Sequence, residues 1–224
     1  MKNKNKELNF VNKNHSLTKR NYLERMINAK VKCMIEAKKY SKNYWDGSRK
    51  YGYGGYRYIP NRWTSVAKKI IKKFKLKNNS KILDIGCGKA FLLYEIKKIL
   101  PNIHISGFDI SRYAIQKAPE EIRQNLFVHK AQDKYPFIKK KFDLAMSLGC
   151  FHNLELNDLK KALKEMQRVS KKSYLMVESY RNEKELFNLQ CWALTCESFF
   201  SKKEWIWIFK EFNYNQNYEF IYFK

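Results

Sequence analysis

From Trp63 onward the apolar positions follow two alternating rhythms. Short, near-continuous apolar runs such as KILDI, HISGFDI and FDLAMSL are separated by stretches like TSVAKKIIKKFKL, in which apolar residues recur every three or four positions. The first rhythm suits strands buried on both faces and the second amphipathic helices. The pattern predicts strands at 81–85, 104–109, 126–130, 142–148 and 173–178, and helices near 89–100, 111–118 and 157–169. A last helix, SKKEWIWIFKEF, leads into a final strand, YEFIYF. Strands alternating with helices build an α/β fold, a doubly wound and mostly parallel sheet.

Upstream the pattern is different. Ser16 or Thr18 can cap a helix bearing Leu23, Met26, Ile27, Val31, Met34 and Ile35 and ending before Tyr44. Residues 44–63 (YWDGSRKYGYGGYRYIPNRW) combine four glycines with many aromatic rings and three arginines. Flexible linkers lack such rings, which need a surface or ligand to cover them. The segment is therefore expected to be a cap or lid, with residues 16–62 forming an N-terminal extension. Residues 1–15 are expected to be a disordered basic tail, and residues 63–224 the main domain.

Composition narrows the function classes. The chain has 224 residues, 44% hydrophobic and 16% aromatic, enough for a full core without metal or disulfide support. Its N-terminus lacks the apolar run of a signal peptide and no later run approaches a membrane span, so a soluble cytoplasmic protein is expected. Five cysteines at irregular spacings argue for reduced thiols and no metal site. The net charge of +25 suggests nucleic acid, but the cations are 37 Lys and only 9 Arg, the residue whose fork best fits phosphate. A solvated lysine surface arising from compositional drift is the alternative.

The chemistry begins at Lys81-Ile-Leu-Asp84-Ile-Gly86-Cys87-Gly88-Lys-Ala90, a strand breaking into a glycine turn that opens a helix. Gly86 and Gly88 allow a tight turn and close approach of a ligand, and the helix start offers free N–H groups. Twenty-five residues after Asp84, the next strand ends in Asp109, where a doubly wound fold places the carboxylate that binds ribose hydroxyls.

With an acid-x-Gly-x-Gly turn and a second-strand acid, the chain resembles class I (Rossmann-like) S-adenosylmethionine-dependent methyltransferases. Dinucleotide enzymes normally keep a third glycine where Ala90 stands. The likeness continues through AQDKYPFIKKKFDLAMSLGCFHNLE and covers roughly residues 63–179. It implies S-adenosylmethionine as cofactor and S-adenosylhomocysteine as product. Asp84 and Gly86, with Cys87 and Gly88 in the same turn, would hold the methionyl portion, and Asp109 the ribose. Ile110 and Leu148 would line the adenosyl pocket and Asp133 would meet the adenine edge, although Lys130 stands where many relatives have an acid.

Methyl transfer asks the protein chiefly to position an acceptor, exclude water and, where needed, take a proton. The strand ends facing the cofactor offer His152 and Glu178 as candidate bases, with packing roles as the alternative. Tyr44, Tyr53, Tyr56 and Arg57 are lid or acceptor-binding candidates, and Tyr53 a further catalytic one; a structural cap is the rival role. Gln190 and Trp192 lie in residues 181–200, where this fold commonly carries its acceptor insertion. A small-molecule O- or N-methyltransferase, monomeric or homodimeric, is the leading expectation. An RNA or protein methyltransferase using the basic surface is one alternative, and a catalytically silent cofactor-fold binding protein is another.

Overall fold

The computed structural model describes residues 7–224. Its centre is one six-stranded sheet in the order β3-β2-β1-β4-β5-β6, every neighbouring pair parallel. The strands are β1 (Lys81–Ile85), β2 (His104–Asp109), β3 (Leu126–Val128), β4 (Phe142–Leu148), β5 (Ser170–Glu178) and β6 (Asn217–Ile221). The strand order reverses between β1 and β4, and the crevice beyond their carboxyl ends is where doubly wound sheets bind ligands.

Helices cover both faces. Ile82, Leu144, Met146 and Met176 point to one side, where α5 (Thr64–Phe74) and α6 (Phe91–Ile99) pack through Ile70, Leu93 and Ile96. Leu83, Ile85, Ala145 and Val177 point to the other, beneath α9 (Leu156–Val169) and α11 (Lys202–Glu211). Adjacent residues thus serve opposite cores, as the period-two geometry of a strand requires. In α9 the buried Leu159, Ala162, Leu163 and Met166 follow helical spacing, and Trp205 of α11 is wholly buried. Between these elements lie α7 (Arg112–Gln116), α8 (Glu120–Arg123) and α10 (Glu183–Trp192).

The N-terminal extension departs from its expected form in two ways. The tail expected to be disordered over residues 1–15 is held in place from Glu7 onward; residues 1–6 lie outside the described residues. The backbone N–H groups of Phe10, Val11 and Asn12 each donate to the buried Glu219 carboxylate at 2.8 Å, and α1 (Asn12–Ser16) follows. A carboxylate that bridges several backbone donors also receives the Tyr174 hydroxyl at 2.5 Å. Second, the single expected helix is broken into α2 (Tyr22–Ile27) and α3 (Lys30–Ala37) by Ala29, which takes a left-handed conformation at φ 48°. Ser41 caps a further short helix, α4 (Lys42–Asp46), through its hydroxyl.

Candidate functional site

The glycine turn is assembled from β1 and β2 together. The N–H groups of Gly86 and Cys87 both donate to the Phe108 carbonyl, at 2.8 and 3.0 Å, so the turn is stitched to the neighbouring strand. Gly86 has φ +73°, and a Cβ there would collide with the Cys150 side chain at 2.4 Å. At Gly88 (φ +56°) a Cβ would lie 2.7 Å from the Trp45 indole, which covers this end of the turn. The two acids stand beside it. Asp109, 7% exposed, accepts from the N–H groups of Gly88 and Ser111, each at 2.8 Å. Asp84 is buried, and among the described residues no donor reaches its carboxyl. Burial and the nearby Asp109 push its pKa up to about 8.

A cavity of about 190 Å³ opens against this cradle, lined among others by Gly86, Asp109, Ile110, Gln132 and Leu148. The residues fit a nucleoside bearing an ammonium. Asp109 and the half-exposed Ile110 flank the cavity at the end of β2, while Asp84 lies behind the turn and off the cavity wall, a buried carboxyl that lacks a cationic partner among the described residues. Not every expected contact is present. Asp133 is exposed and outside the cavity, because the turn after β3 directs Gln132 inward instead; Cys87, whose thiol lies against Gly107, and Gly88, covered by Trp45, are likewise not on the wall.

A second cavity, of about 360 Å³, adjoins the first. Tyr44, Tyr53, Leu148, Gly149 and Asn153 belong to the walls of both. Its roof is the N-terminal extension. The Gly/Tyr loop folds back on α4 through Tyr53 N–H to Tyr44 carbonyl and Tyr56 N–H to Trp45 carbonyl bonds, both 2.9 Å. Tyr53 stacks on Trp45 with ring centroids 5.2 Å apart and planes within 6°, while the indole N–H donates to Ser111 Oγ at 2.8 Å. No sequence signal singles out Gln132, Arg20 or Arg25, whereas the density of rings and arginines in residues 44–63 points to the segment that holds Trp45, Arg49 and Arg62.

His152 and Glu178, from the ends of β4 and β5, meet in this second cavity. The Glu178 N–H donates to His152 Nδ1 at 3.3 Å, which puts the proton of the neutral ring on Nε2, 3.5 Å from Glu178 Oε2. Burial holds the His152 pKa down to about 3 and raises Glu178 to about 7. The imidazole expected as a base is thus neutral with Nδ1 already occupied, and Glu178 is the group of the two that exchanges a proton near neutrality.

Of the other acceptor-side candidates, Tyr44, Tyr53, Tyr56 and Trp192 line this cavity. Arg57 does not. It is exposed and borders a shallow cleft beside Asp46 and Lys89, because the loop after Tyr56 turns outward. Gln190 is also exposed, and contributes only its backbone carbonyl, which receives the Lys30 ammonium at 3.0 Å.

Residues 76–216 match the family described as methyltransferase domain. Among curated relatives, the ribosomal RNA small subunit methyltransferase C of Haemophilus influenzae (strain PittEE) is 37% identical over 79 residues, 34% of this chain and 24% of the relative. The ubiquinone biosynthesis O-methyltransferase of Pelagibacter ubique is 28% identical over 153 residues, 63% of this chain and 62% of the relative. The chain therefore spans about a quarter of the first relative's length. The YcgJ protein from Bacillus subtilis superposes with a TM-score of 0.52 at 20% identity, over 65% of this chain and 66% of that one, a likeness of fold. Since the matched segment runs from the end of α5 to the start of β6 and contains both acids and the glycine turn, the chain belongs to the methyltransferase domain family, in its class I, S-adenosylmethionine-dependent architecture.

Proposed function

We propose that the protein methylates an O–H or N–H group of a small molecule held in the 360 Å³ cavity. The observation that carries this reading is the shared wall. An acceptor there faces the cofactor cavity across Tyr44, Tyr53 and Leu148, beneath the N-terminal extension. S-adenosylmethionine, when bound, supplies an electrophilic methyl group on a sulfonium whose C–S bonding pair returns to sulfur on transfer. Asp84 offers a carboxylate to its ammonium, Asp109 accepts from its ribose hydroxyls, and the Tyr53 ring is available to a cationic centre.

Glu178 accepts the proton that the acceptor loses as its new bond to carbon forms. Its carboxylate becomes a carboxylic acid, which the buried site tolerates because burial already favours the neutral form. His152 sits beside that carboxylate, its Nε2 3.5 Å from Oε2 and its Nδ1 accepting the Glu178 N–H. Volume supports a metabolite over a folded macromolecule, since the cavity is roofed and of the size that small ligands occupy.

The charge of +25 and the ribosomal RNA relative favour a second reading, methylation of RNA. Incubation of the purified protein with methyl-labelled donor and a cell extract separates the two. Label is expected in the low-molecular-weight fraction. Label confined to RNA, and removed by ribonuclease, would refute the small-molecule reading.

A further inference from the structure

The geometry points to an anionic acceptor: the molecule held in the 360 Å³ cavity carries a carboxylate or phosphate that docks on the guanidinium groups of Arg20, Arg25 and Arg49. This inference rests on the assignment of that cavity to the methyl acceptor.

Residue choice is the first argument. The chain has 37 Lys and 9 Arg, yet the cavity wall holds four of the arginines, with Arg62 the fourth, and no lysine. Drift toward lysine does not place arginine selectively in one cavity. A planar fork is what bidentate recognition of carboxylate or phosphate requires.

Arrangement is the second. Three guanidinium groups converge on one indole, with Arg20, Arg25 and Arg49 lying 5.4, 4.4 and 5.0 Å from the Trp192 ring centroid. They come from separate stretches of chain, and backbone carbonyls hold each in place. Arg20 Nη1 donates to the carbonyls of His15 and Thr18, Arg25 Nη1 to those of Arg49 and Lys50, and Arg49 Nη1 to those of Gly52 and Tyr53. The Nε groups of Arg20 and Arg25 are buried without a hydrogen-bond partner. The backbone carbonyls take up Nη1 alone, and Nη2 of Arg25 and of Arg49 makes no hydrogen bond among the described residues, so the cluster is held in place with donors left for a ligand.

Charge balance is the third. Among the described residues none of these arginines forms an ion pair with a carboxylate, and Glu178 is the only acid on the cavity wall. The cost of the crowding is visible in the neighbours. Burial and Arg49 push Arg25 down to about 10, burial and Arg25 push Lys30 down to about 8, and burial and Arg20 hold His15 neutral at about 3. One ligand anion would offset repulsion that the protein leaves unmatched.

Calorimetric titration of the full chain, with and without S-adenosylhomocysteine, tests this with three probes: benzoate, phenyl phosphate and neutral phenol. At least one anion is expected to bind about tenfold or more tighter than phenol, and the better anion identifies the group recognised. Arg25→Gln and Arg49→Gln should each weaken that anion by about tenfold while leaving S-adenosylhomocysteine affinity unchanged, and Arg49→Lys should recover part of the loss. Equal binding of anions and phenol by the wild-type chain would overturn the inference whether or not the variants fold. So would folded glutamine variants with undiminished anion affinity, or preference for an RNA oligonucleotide with neither small anion bound. Failure to bind S-adenosylhomocysteine would instead remove the methyltransferase reading on which the inference stands.

Discussion

The Lys89 ammonium lies 2.7 Å from each carboxylate oxygen of Asp46, joining the glycine turn to the end of α4. Lys89 also donates to the Tyr56 carbonyl at 2.7 Å, and Asp46 accepts from the Tyr113 hydroxyl and the Tyr56 N–H. The roof over the 360 Å³ cavity is therefore tied to the same turn that forms the cofactor cradle. A change in either is felt by the other.

Asp46→Ala leaves the Lys89 side chain, 5% exposed, without its counter-charge. We expect a loss of about 2–3 kcal/mol in stability, read from denaturant midpoints, together with faster proteolysis within residues 42–62. Unchanged proteolysis of that segment would show that the ion pair does not hold the roof.

Asp109→Asn should weaken S-adenosylhomocysteine binding by about tenfold or more, measured by calorimetry. The carboxylate also accepts from Gly88 and Ser111, so a small drop in melting temperature is expected alongside. Wild-type affinity in this variant would remove the ribose assignment.

Protons report on the two buried carboxyls. Asp84 and Glu178 have folded pKa values of about 8 and about 7, above the roughly 4 of an unfolded carboxyl. The folded chain keeps protons that the unfolded chain releases. The stability they contribute is thus complete below about pH 4 and declines as pH rises to 7–8. Unfolding free energy measured from pH 5 to pH 8 should fall, and Asp84→Asn should flatten part of the slope. At pH 7, binding the ammonium of S-adenosylhomocysteine should ionise Asp84 and release close to one proton, detected by calorimetry in buffers of different ionisation enthalpy. No proton release would contradict the pairing.

Turnover should rise with pH to a plateau above about 7 as Glu178 ionises, and Glu178→Gln should abolish that limb with a loss of about a hundredfold or more. His152→Gln retains a donor toward Glu178 and should cost much less. If His152→Gln were the more damaging change, the imidazole and not the carboxylate would be the base.

Trp45→Ala removes an indole, 5% exposed, from beneath Tyr53 and from above Gly88, and should destabilise the chain by about 3 kcal/mol. Tyr53→Ala, at a ring 42% exposed, should leave melting nearly unchanged while lowering turnover. Equal melting losses in the two variants would make Tyr53 a structural cap residue.

From Trp63 onward the six strands and most of the helices were legible because local periodicity encodes them, whereas α8 and α10 were not expected. Ile82 and Leu83 each need a core on their own side, and α9 needs one buried stripe, whatever else the chain does. The spacing of Asp84, Gly86 and Asp109 marked the cofactor cradle for the same reason, since all three lie at or next to strand ends whose pairing follows from the alternation. Sequence did not disclose the anchoring of residues 10–12 by Glu219, more than two hundred positions away, or the break at Ala29. Nor could it show that Glu178 N–H takes up His152 Nδ1, or that arginines from two segments gather over Trp192. A residue's spacing records which face of its own element is buried. What meets it there depends on long-range packing, so the cofactor cradle belongs to the sequence and the acceptor cavity to the tertiary structure.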